Sequence, residues 1–453
     1  MTGRTFRGGV HPDDGKAYSR DAAPVAYEPT GELVFPLSQH IGKPAKPVVK
    51  PGDAVLVGQL IAEQDGYVSA NIHSSASGTV KAIEKRRTLM GNLGECVVIE
   101  SDGKFNAVEG MGKKTEWRNL GREKILAKIR EAGVVGMGGA SFPTAVKLEP
   151  KDPGAIRYVI ANGAECEPFI TCDDQLMRTR AGEIVKGLKI MLSLFPNAEG
   201  VVLIEDNKPE AIKAMTEAAA MEKKIRVRAA PTKYPQGGEK SIIKVVAGRD
   251  TKMSQLPAEA GCIVDNVSTV CAIYEAVCLN TPLIRRAVTV TGPAVKTPGN
   301  FIVRVGTAFS ELLEAAGGVA DGAEIRKAIA GGAMMGIALA DLGAPIQKAS
   351  NALTLFAEDE VEKAQEKLTP CIRCGRCNEV CPMGLTPQMM GAAAERKDYY
   401  KYEHRLYGLE CVSCGSCTYV CPAKRPLMQL FKDAKGAILA ARNAAKQGGG
   451  AAK

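Results

Sequence analysis

Eight of the chain's fourteen cysteines fall in two short stretches, CIRCGRCNEVC at 371–381 and CVSCGSCTYVC at 411–421, each followed by proline. Both read C-x2-C-x2-C-x3-C-P. Three thiolates on a tight loop can reach three irons of one cubane, while the fourth, carried away from the loop near the proline, reaches a neighbouring cubane. The spacing therefore assigns Cys371, Cys374, Cys377 and Cys421 to one [4Fe–4S] cluster, and Cys411, Cys414, Cys417 and Cys381 to a second. Structural zinc is the competing chemistry, but zinc takes two ligand pairs across a longer loop rather than a triplet plus Cys-Pro. Two cubanes with crossed ligands lie close together and pass electrons singly. The stretch between them, 383–410, looks helical, which favours a mostly helical ferredoxin fold.

Two further loops carry chemistry. GVVGMGGASFPTAVKL sets Gly136, Gly138 and Gly139 at an expected helix start, where missing side chains let backbone N–H groups approach a phosphate. A tight turn into a packed helix is the plainer alternative. After the strand-like IRYVI comes ANGAECEP, with Glu165 and Glu167 two residues apart and hence on one side of an extended segment. That segment falls at the carboxyl edge of the sheet, where open α/β sheets bind ligands. Two carboxylates there suit ribose hydroxyls or a carboxamide better than phosphate; a solvated acidic loop is the alternative. His11, His40, His73 and His404 show no ligand-like pairing. Cys166 and Cys172 flank the acidic loop, where a metal or redox pair competes with two small apolar side chains. Cys96, Cys262, Cys271 and Cys278 read as apolar filling.

The elements that must position these residues divide a chain of 453 residues into several units, about three by length alone. Residues 24–100 alternate β-branched runs with turns. Residues 121–133, GREKILAKIREAG, place Ile125, Leu126, Ile129 and Ala132 on one helical face. Strand-like and helix-like runs then alternate: IRYVIANGAE, one long helix DQLMRTRAGEIVKGLKIMLSLF, GVVLIEDN, PEAIKAMTEAAAMEKK and IRVRAAP. This is the order of a mostly parallel Rossmann-type sheet. Residues 286–345 give strands around one helix, and from about 351 the pattern turns helical. The end, from Lys424, reads as a basic helix with Leu427, Leu430, Phe431 and Ile438 on it, suited to acidic lipid or a membrane subunit, with a simply solvated basic helix as the equal alternative, running into a disordered terminus.

The formal charge of +9 is spread out, with no basic run interleaved with aromatics, which argues against nucleic acid. The N-terminal residues MTGRTFRGGVHPDDGK lack the apolar stretch of a secretory signal, and no run approaches the roughly 18 apolar residues of a spanning helix. A cytosolic setting follows, with reduced thiols available for metal.

GMGGASFPTAVK, ANGAECEP, YPQGGEKSII and VDNVSTVCAI, in that order, resemble the flavin- and NADH-binding subunit of respiratory complex I and of related hydrogenases. With VVKPGDAVLVGQLIA and SGTVKAI in front, similar to the flattened barrel of biotinyl and lipoyl carriers but with no lysine in EQDGYVSANIHSSASG, and the cysteine repeat behind, the whole chain resembles the C subunit of the Rnf electron transport complex. The resemblance implies a multidomain α/β and α+β protein: a barrel-sandwich hybrid at 1–115, a Rossmann-like FMN/NADH domain at 116–285, a β-grasp domain of the soluble-ligand-binding kind (SLBB-like) at 286–350, a helical dicluster ferredoxin domain at 351–430, and a basic tail at 431–453.

It further implies a non-covalent FMN over Gly136–Gly139, with Lys147 and Asn162 near it and Tyr234, Gly237, Glu239 and Asn266 on the far side. NADH would stack on it, with Phe142 on the adenine side and Glu165 and Glu167 at the nicotinamide half. Complex I carries aspartate where Ala164 stands and glutamate where Gly238 stands. The implied partners are NAD(H), a ferredoxin-type iron–sulfur subunit, ferredoxin indirectly, and integral-membrane subunits that move the ion, with this chain peripheral on the cytoplasmic face. Competing assignments are a soluble NADH-dependent oxidoreductase or hydrogenase subunit, a non-catalytic wiring protein, and the A subunit of the sodium-pumping NADH:quinone reductase, which is not expected to carry the cysteine repeat.

Overall fold

The computed structural model describes residues 5–448. Near the front, two small sheets face each other. One orders Glu32–Pro36, Leu93–Ser101, Gly78–Arg87 and Ala54–Val55; the other orders Lys46–Pro47, Leu60–Glu63 and Ile72–His73. Alternation along ELVFP turns Leu33 and Phe35 inward against Ile61, Ile72, Val97 and Ile99, closing a flattened barrel. Gly78 bends it: its φ is 152°, and a Cβ there would lie 2.0 Å from the Glu100 carbonyl oxygen.

Behind the barrel lies a parallel sheet in the order Ile225–Ala230, Glu199–Glu205, Tyr158–Gly163, Cys262–Asn266. The runs VIA, VVLI and IV in three of its strands are apolar because both faces are covered there, whereas the edge strand Ile225–Ala230 carries Arg226 and Arg228. Val159, Ala161, Val202, Ile204 and Ile263 turn to one face, and Ile160, Val201, Leu203, Cys262 and Val264 to the other. The first face takes the helices Arg122–Glu131, Ala181–Ser193, Pro209–Ala219 and Val267–Leu279; the second takes Glu239–Ala247 and the side chain of Phe6. Ile125, Leu126, Ile129 and Ala132 are buried on the expected helix face. The long helix expected over 174–195 is instead two, Cys172–Thr179 and Ala181–Ser193. Arg180 leaves helical geometry at φ −127° between them, its guanidinium ion-paired with Glu183 and Glu275.

The third sheet orders Val25–Tyr27, Gly299–Arg304, Arg285–Thr291, Ala352–Phe356, Lys327–Ala330 and Ile337–Ala338, with the helix Phe309–Ala315 packed on it through Phe309 and Leu312. This corrects two expectations. The pattern does not turn helical at 351, since ALTLF pairs with both Thr289–Thr291 and Lys327–Ala330 as a buried inner strand. Residues 25–27 also belong here and not to the barrel. Lys348, fully buried, ties three units together: its ammonium donates to the carbonyls of Asn71 in the barrel and Gly133 before the glycine loop.

The cysteine region follows as short helices Arg376–Glu379, Pro387–Glu395 and Ser416–Tyr419 and a long one, Leu427–Gly448. The expected lipid-facing side of that last helix is spent internally. Leu427, Phe431, Ala434 and Ile438 are buried with Met390 and Tyr402, so the boundary expected at 430/431 falls inside one helix. The expected disordered terminus lies outside the described residues.

Candidate functional site

In the parallel sheet the chain order reverses between Tyr158–Gly163 and Cys262–Asn266, making their carboxyl ends the switch-point crevice of a doubly wound fold. Asn162 and Asn266 are register partners there. Asn266 caps the following helix by accepting from the Ser268 N–H at 2.7 Å, and its amide donates to Asp173 at 2.6 Å. Asn162 donates to the Gly237 carbonyl at 3.0 Å. Lys147 donates to the Val264 carbonyl at 2.8 Å and to Asp265 at 2.9 Å. Burial opposes the Lys147 charge, yet Asp265 beside it holds the ammonium pKa above the ordinary value.

The glycine loop does not run straight into a helix. Gly136 N–H donates to the Phe142 carbonyl at 2.8 Å, Val135 bridges Pro143, and the helix begins only at Thr144 because Ser141 at φ 55° and Pro143 turn the chain first. The loop lies against the crevice: a Cβ on Gly138 would stand 3.1 Å from the Asn266 amide and one on Gly136 3.8 Å from the Lys147 ammonium. A Cβ on Gly139 would meet nothing within 4 Å, so open space lies above it.

Gln236 is fully buried on the next loop with neither amide atom partnered, and Asp265 Oδ2 and Thr144 Oγ1 are buried and unpartnered too. Buried polar atoms ordinarily find partners. A cation, several amides and unpaired buried polar atoms around an open glycine loop fit a planar, polar, phosphate-bearing ligand. Glu239, at the start of its helix, is partly exposed beside this loop with Lys240 3.9 Å away.

The acidic loop is not extended. The strand ends at Gly163, Glu165 takes φ 45°, and the two carboxylates part. Glu165 accepts from the Asp173 N–H at 2.6 Å and the Asp174 N–H at 3.3 Å, capping the helix Cys172–Thr179, with the Lys16 ammonium 3.9 Å away. Burial pushes its pKa up to about 8, against the pull of Lys16. Glu167 accepts from the Met334 N–H at 3.0 Å and lies 3.3 Å from the Tyr234 hydroxyl; burial, partly offset by those two bonds, pushes its pKa up to about 7. Cys166 accepts from the Gly237 N–H at 3.1 Å and Cys172 donates to the Asn351 carbonyl at 3.3 Å, so the two thiols go to separate partners. Among the histidines, burial pushes the His73 pKa down to about 3, and His40 accepts from the Ala70 N–H.

The eight clustered cysteines line two cavities. One is lined by Cys371, Cys374, Cys377 and Cys421; the other by Cys381, Cys411, Cys414 and Cys417. Each loop is turned by the same pair of left-handed residues, Arg373 and Gly375 in one, Ser413 and Gly415 in the other, which bring three thiols to one side. Four sulfurs per cavity, a set of soft ligands, fit a cubane. The cavities differ in setting. Cys371 and Cys374 are exposed, whereas Cys414 is buried against Val10 and Tyr234. The hydroxyl of Tyr234, a residue only 2% exposed, donates to the Cys414 carbonyl at 2.7 Å. Sequence reasoning gave Tyr234 no link to the cysteine region, and no local pattern signals one.

Residues 4–104 match the family described as RnfC barrel sandwich hybrid domain, 129–275 the Nuo51 FMN-binding domain, 287–338 the SLBB domain and 370–425 the 4Fe-4S dicluster domain. The chain is 44% identical, over 95% of its length and 93% of the relative's, to the C subunit of the proton-translocating ferredoxin:NAD(+) oxidoreductase complex of Clostridium ljungdahlii. It belongs to the RnfC family. Its likeness to other members is comparable: 38% identity to the C subunit of the Na(+)-translocating ferredoxin:NAD(+) oxidoreductase complex from Acetobacterium woodii, over 97% of this chain and 98% of that one, and 40% to the C subunit of the ion-translocating oxidoreductase complex of Rhodobacter capsulatus, over 96% and 83%. The four matched segments give the RnfC module order: barrel-sandwich hybrid, Rossmann-like flavin domain, β-grasp and helical dicluster ferredoxin. The A subunit of the sodium-pumping reductase is set aside by the dicluster match.

Proposed function

We propose that this chain is the NAD(H)-reactive subunit of a membrane-associated ferredoxin:NAD+ oxidoreductase, linking two [4Fe–4S] clusters to FMN and NAD(H), with ion translocation executed by partner subunits. The observation that carries the reading is the docking of one four-cysteine cavity, through Tyr234 and Cys414, onto the sheet edge where the glycine loop, Lys147, Asn162 and Asn266 converge. Bound FMN would supply the exchange between single electrons and hydride, NAD+ + H+ + 2 e− giving NADH, which neither iron–sulfur centres nor nicotinamide perform alone.

The chain's own residues bind and orient. Gly136, Gly138 and Gly139 leave room for the flavin and its phosphate, Lys147 offers a fixed cation, and Asn162, Gly237, Glu239 and Asn266 border the far side. Tyr234 contributes its ring and backbone, its hydroxyl being engaged by Cys414. Phe142 stands on the nucleotide side of the loop. Glu167 is the group for fixing the nicotinamide pose, and Glu165 acts indirectly, by capping the helix whose Asp173 holds Asn266. The cavity with Cys381, Cys411, Cys414 and Cys417 is the inner one; the cavity with Cys371, Cys374, Cys377 and Cys421 faces outward, where a ferredoxin-type partner can exchange electrons. Among the described residues no helix is long and apolar enough to cross a membrane; the proposed position is peripheral, on the cytoplasmic face, held by partner subunits.

Anaerobic purification with iron analysis and visible spectra before and after NADH tests this. About eight irons per chain from two cubanes, a yellow chromophore and its bleaching by NADH are expected. A fully metallated protein that takes up no FMN would overturn the reading.

A further inference from the structure

The run FRGGVHP near the N-terminus takes no part in the chemistry above, yet it touches both sides of the junction. Phe6 is buried among Ile160, Leu203 and Ile242 on one face of the parallel sheet. Lys233 donates to the Phe6 carbonyl at 2.8 Å with its ammonium 4.4 Å from the centre of the ring. Gly9 N–H donates to the carbonyl of Val380, the residue before Cys381, at 2.9 Å. Val10 then exchanges both backbone hydrogen bonds with Tyr234, at 2.8 and 2.9 Å. Gly8 and Gly9 both have positive φ, 67° and 89°. A Cβ on Gly8 would come within 2.7 Å of the Val380 carbonyl carbon and oxygen and 2.9 Å of the Cys381 carbonyl carbon; one on Gly9 would come within 2.7 Å of the Tyr234 carbonyl oxygen.

The glycine pair is thus in backbone contact with two units at once. Backbone atoms have no rotamers to yield, so contacts of this kind fix separations more tightly than side-chain packing does. We propose that Phe6–Val10 is a positioning strap that sets the inner four-cysteine cavity over the sheet edge, by holding the Val380–Cys381 peptide and the Tyr234 loop to one short segment. The role rests on the reading that the inner cavity exchanges electrons with a flavin at that edge. The strap carries no reacting group; it determines the distance and orientation across which the other groups work.

The test uses the full, metallated, flavin-loaded chain with Gly8→Ala, and Gly103→Ala as control. Gly103 has the same φ of 67°, but a Cβ there meets nothing within 4 Å, so the control carries the backbone strain without the clash. Three readouts are taken: iron, flavin and NADH bleaching; the rate of cluster reduction after flavin reduction; and hydrogen exchange at Gly9, Val10 and Tyr234. Gly8→Ala is expected to keep iron, flavin and bleaching, lose about tenfold or more exchange protection at the three amides, and slow cluster reduction by on the order of 10–100-fold, as small misplacements do.

Wild-type exchange and reduction rate in Gly8→Ala, or equal slowing in Gly103→Ala, would overturn the strap. If Gly8→Ala loses iron, Val10→Pro, which removes the N–H bonded to Tyr234 together with the valine side chain and fixes φ at that position, is read against the same outcomes, with exchange followed at Gly9 and Tyr234. A wild-type chain that never bleaches with NADH sinks the functional reading, while the exchange comparison still judges the strap.

Discussion

Tyr234→Phe removes one oxygen from a ring that is 2% exposed, and the structure specifies where the loss falls. A phenol has one proton. Both the Cys414 carbonyl at 2.7 Å and the Glu167 carboxyl at 3.3 Å lie within its reach, and the shorter contact takes the larger share. The variant leaves a buried carbonyl and a buried carboxyl short of a partner each, a cost of about 1–3 kcal/mol in stability. The redox consequence is more specific. Hydrogen bonding around a cluster's ligands favours its reduced, more negative state. If about 1 kcal/mol of the bond depends on redox state, the inner cluster's potential falls by roughly 40 mV for one electron. The outer cluster has no such bond to Tyr234 and keeps its potential. A potentiometric titration followed by electron paramagnetic resonance resolves the two. An inner-cluster shift under about 10 mV, or equal shifts in both clusters, would refute the assignment of Cys414 to an inner cluster coupled through Tyr234.

Cys421→Ser tests the crossed ligand set: although it lies in the second motif, it should remove the outer cluster with Cys371, Cys374 and Cys377, leaving about four irons per chain and the inner cluster's spectrum intact. Glu167, raised from 4.5 to about 7, contributes stability that is complete below pH 4.5 and lost as pH rises through 7, at most about 3 kcal/mol. Denaturant midpoints should therefore fall across that window in the wild type and fall less in Glu167→Gln, where Glu165 still titrates; equal falls in the two would count against it. Lys147→Met leaves Asp265, with a fully buried side chain, without its cation and should cost about 3 kcal/mol. Adding Asp265→Asn should restore stability without restoring flavin retention, measured by equilibrium dialysis; recovery of both would show that Lys147 only neutralises Asp265.

What was legible in the sequence is what depends on near neighbours. The Cys-x2-Cys-x2-Cys triplets bind because three residues of loop bring thiols together, so their spacing carried the cavity lining with it, crossed fourth cysteine included. The alternation Val159–Ile160–Ala161 spells a strand covered on both faces, and Ile125, Leu126 and Ile129 spell a helix face. Misreadings came where a distant partner decided. Nothing around Arg180 announces Glu275, whose ion pair accompanies the break in the helix. ALTLF reads as the start of a helical region until Thr289–Thr291 and Lys327–Ala330 claim it as a strand. The apolar stripe Leu427, Phe431, Ile438 has the spacing of a membrane-surface helix and of a core helix alike, and Tyr402 with Met390 determines which it is.

The same distinction explains why the junction between the units was invisible. Its strongest links are backbone to backbone, Gly9 to Val380 and Val10 to Tyr234, or side chain to backbone, Tyr234 to Cys414. Such bonds leave little trace in residue type beyond the glycines that allow close approach. Two adjacent glycines near a terminus carry no chemistry of their own, yet their missing side chains are what admit the segment between two backbones. A cofactor relay across modules needs fixed separations more than particular side chains, so its scaffolding is written mainly in residues that contribute no chemistry of their own.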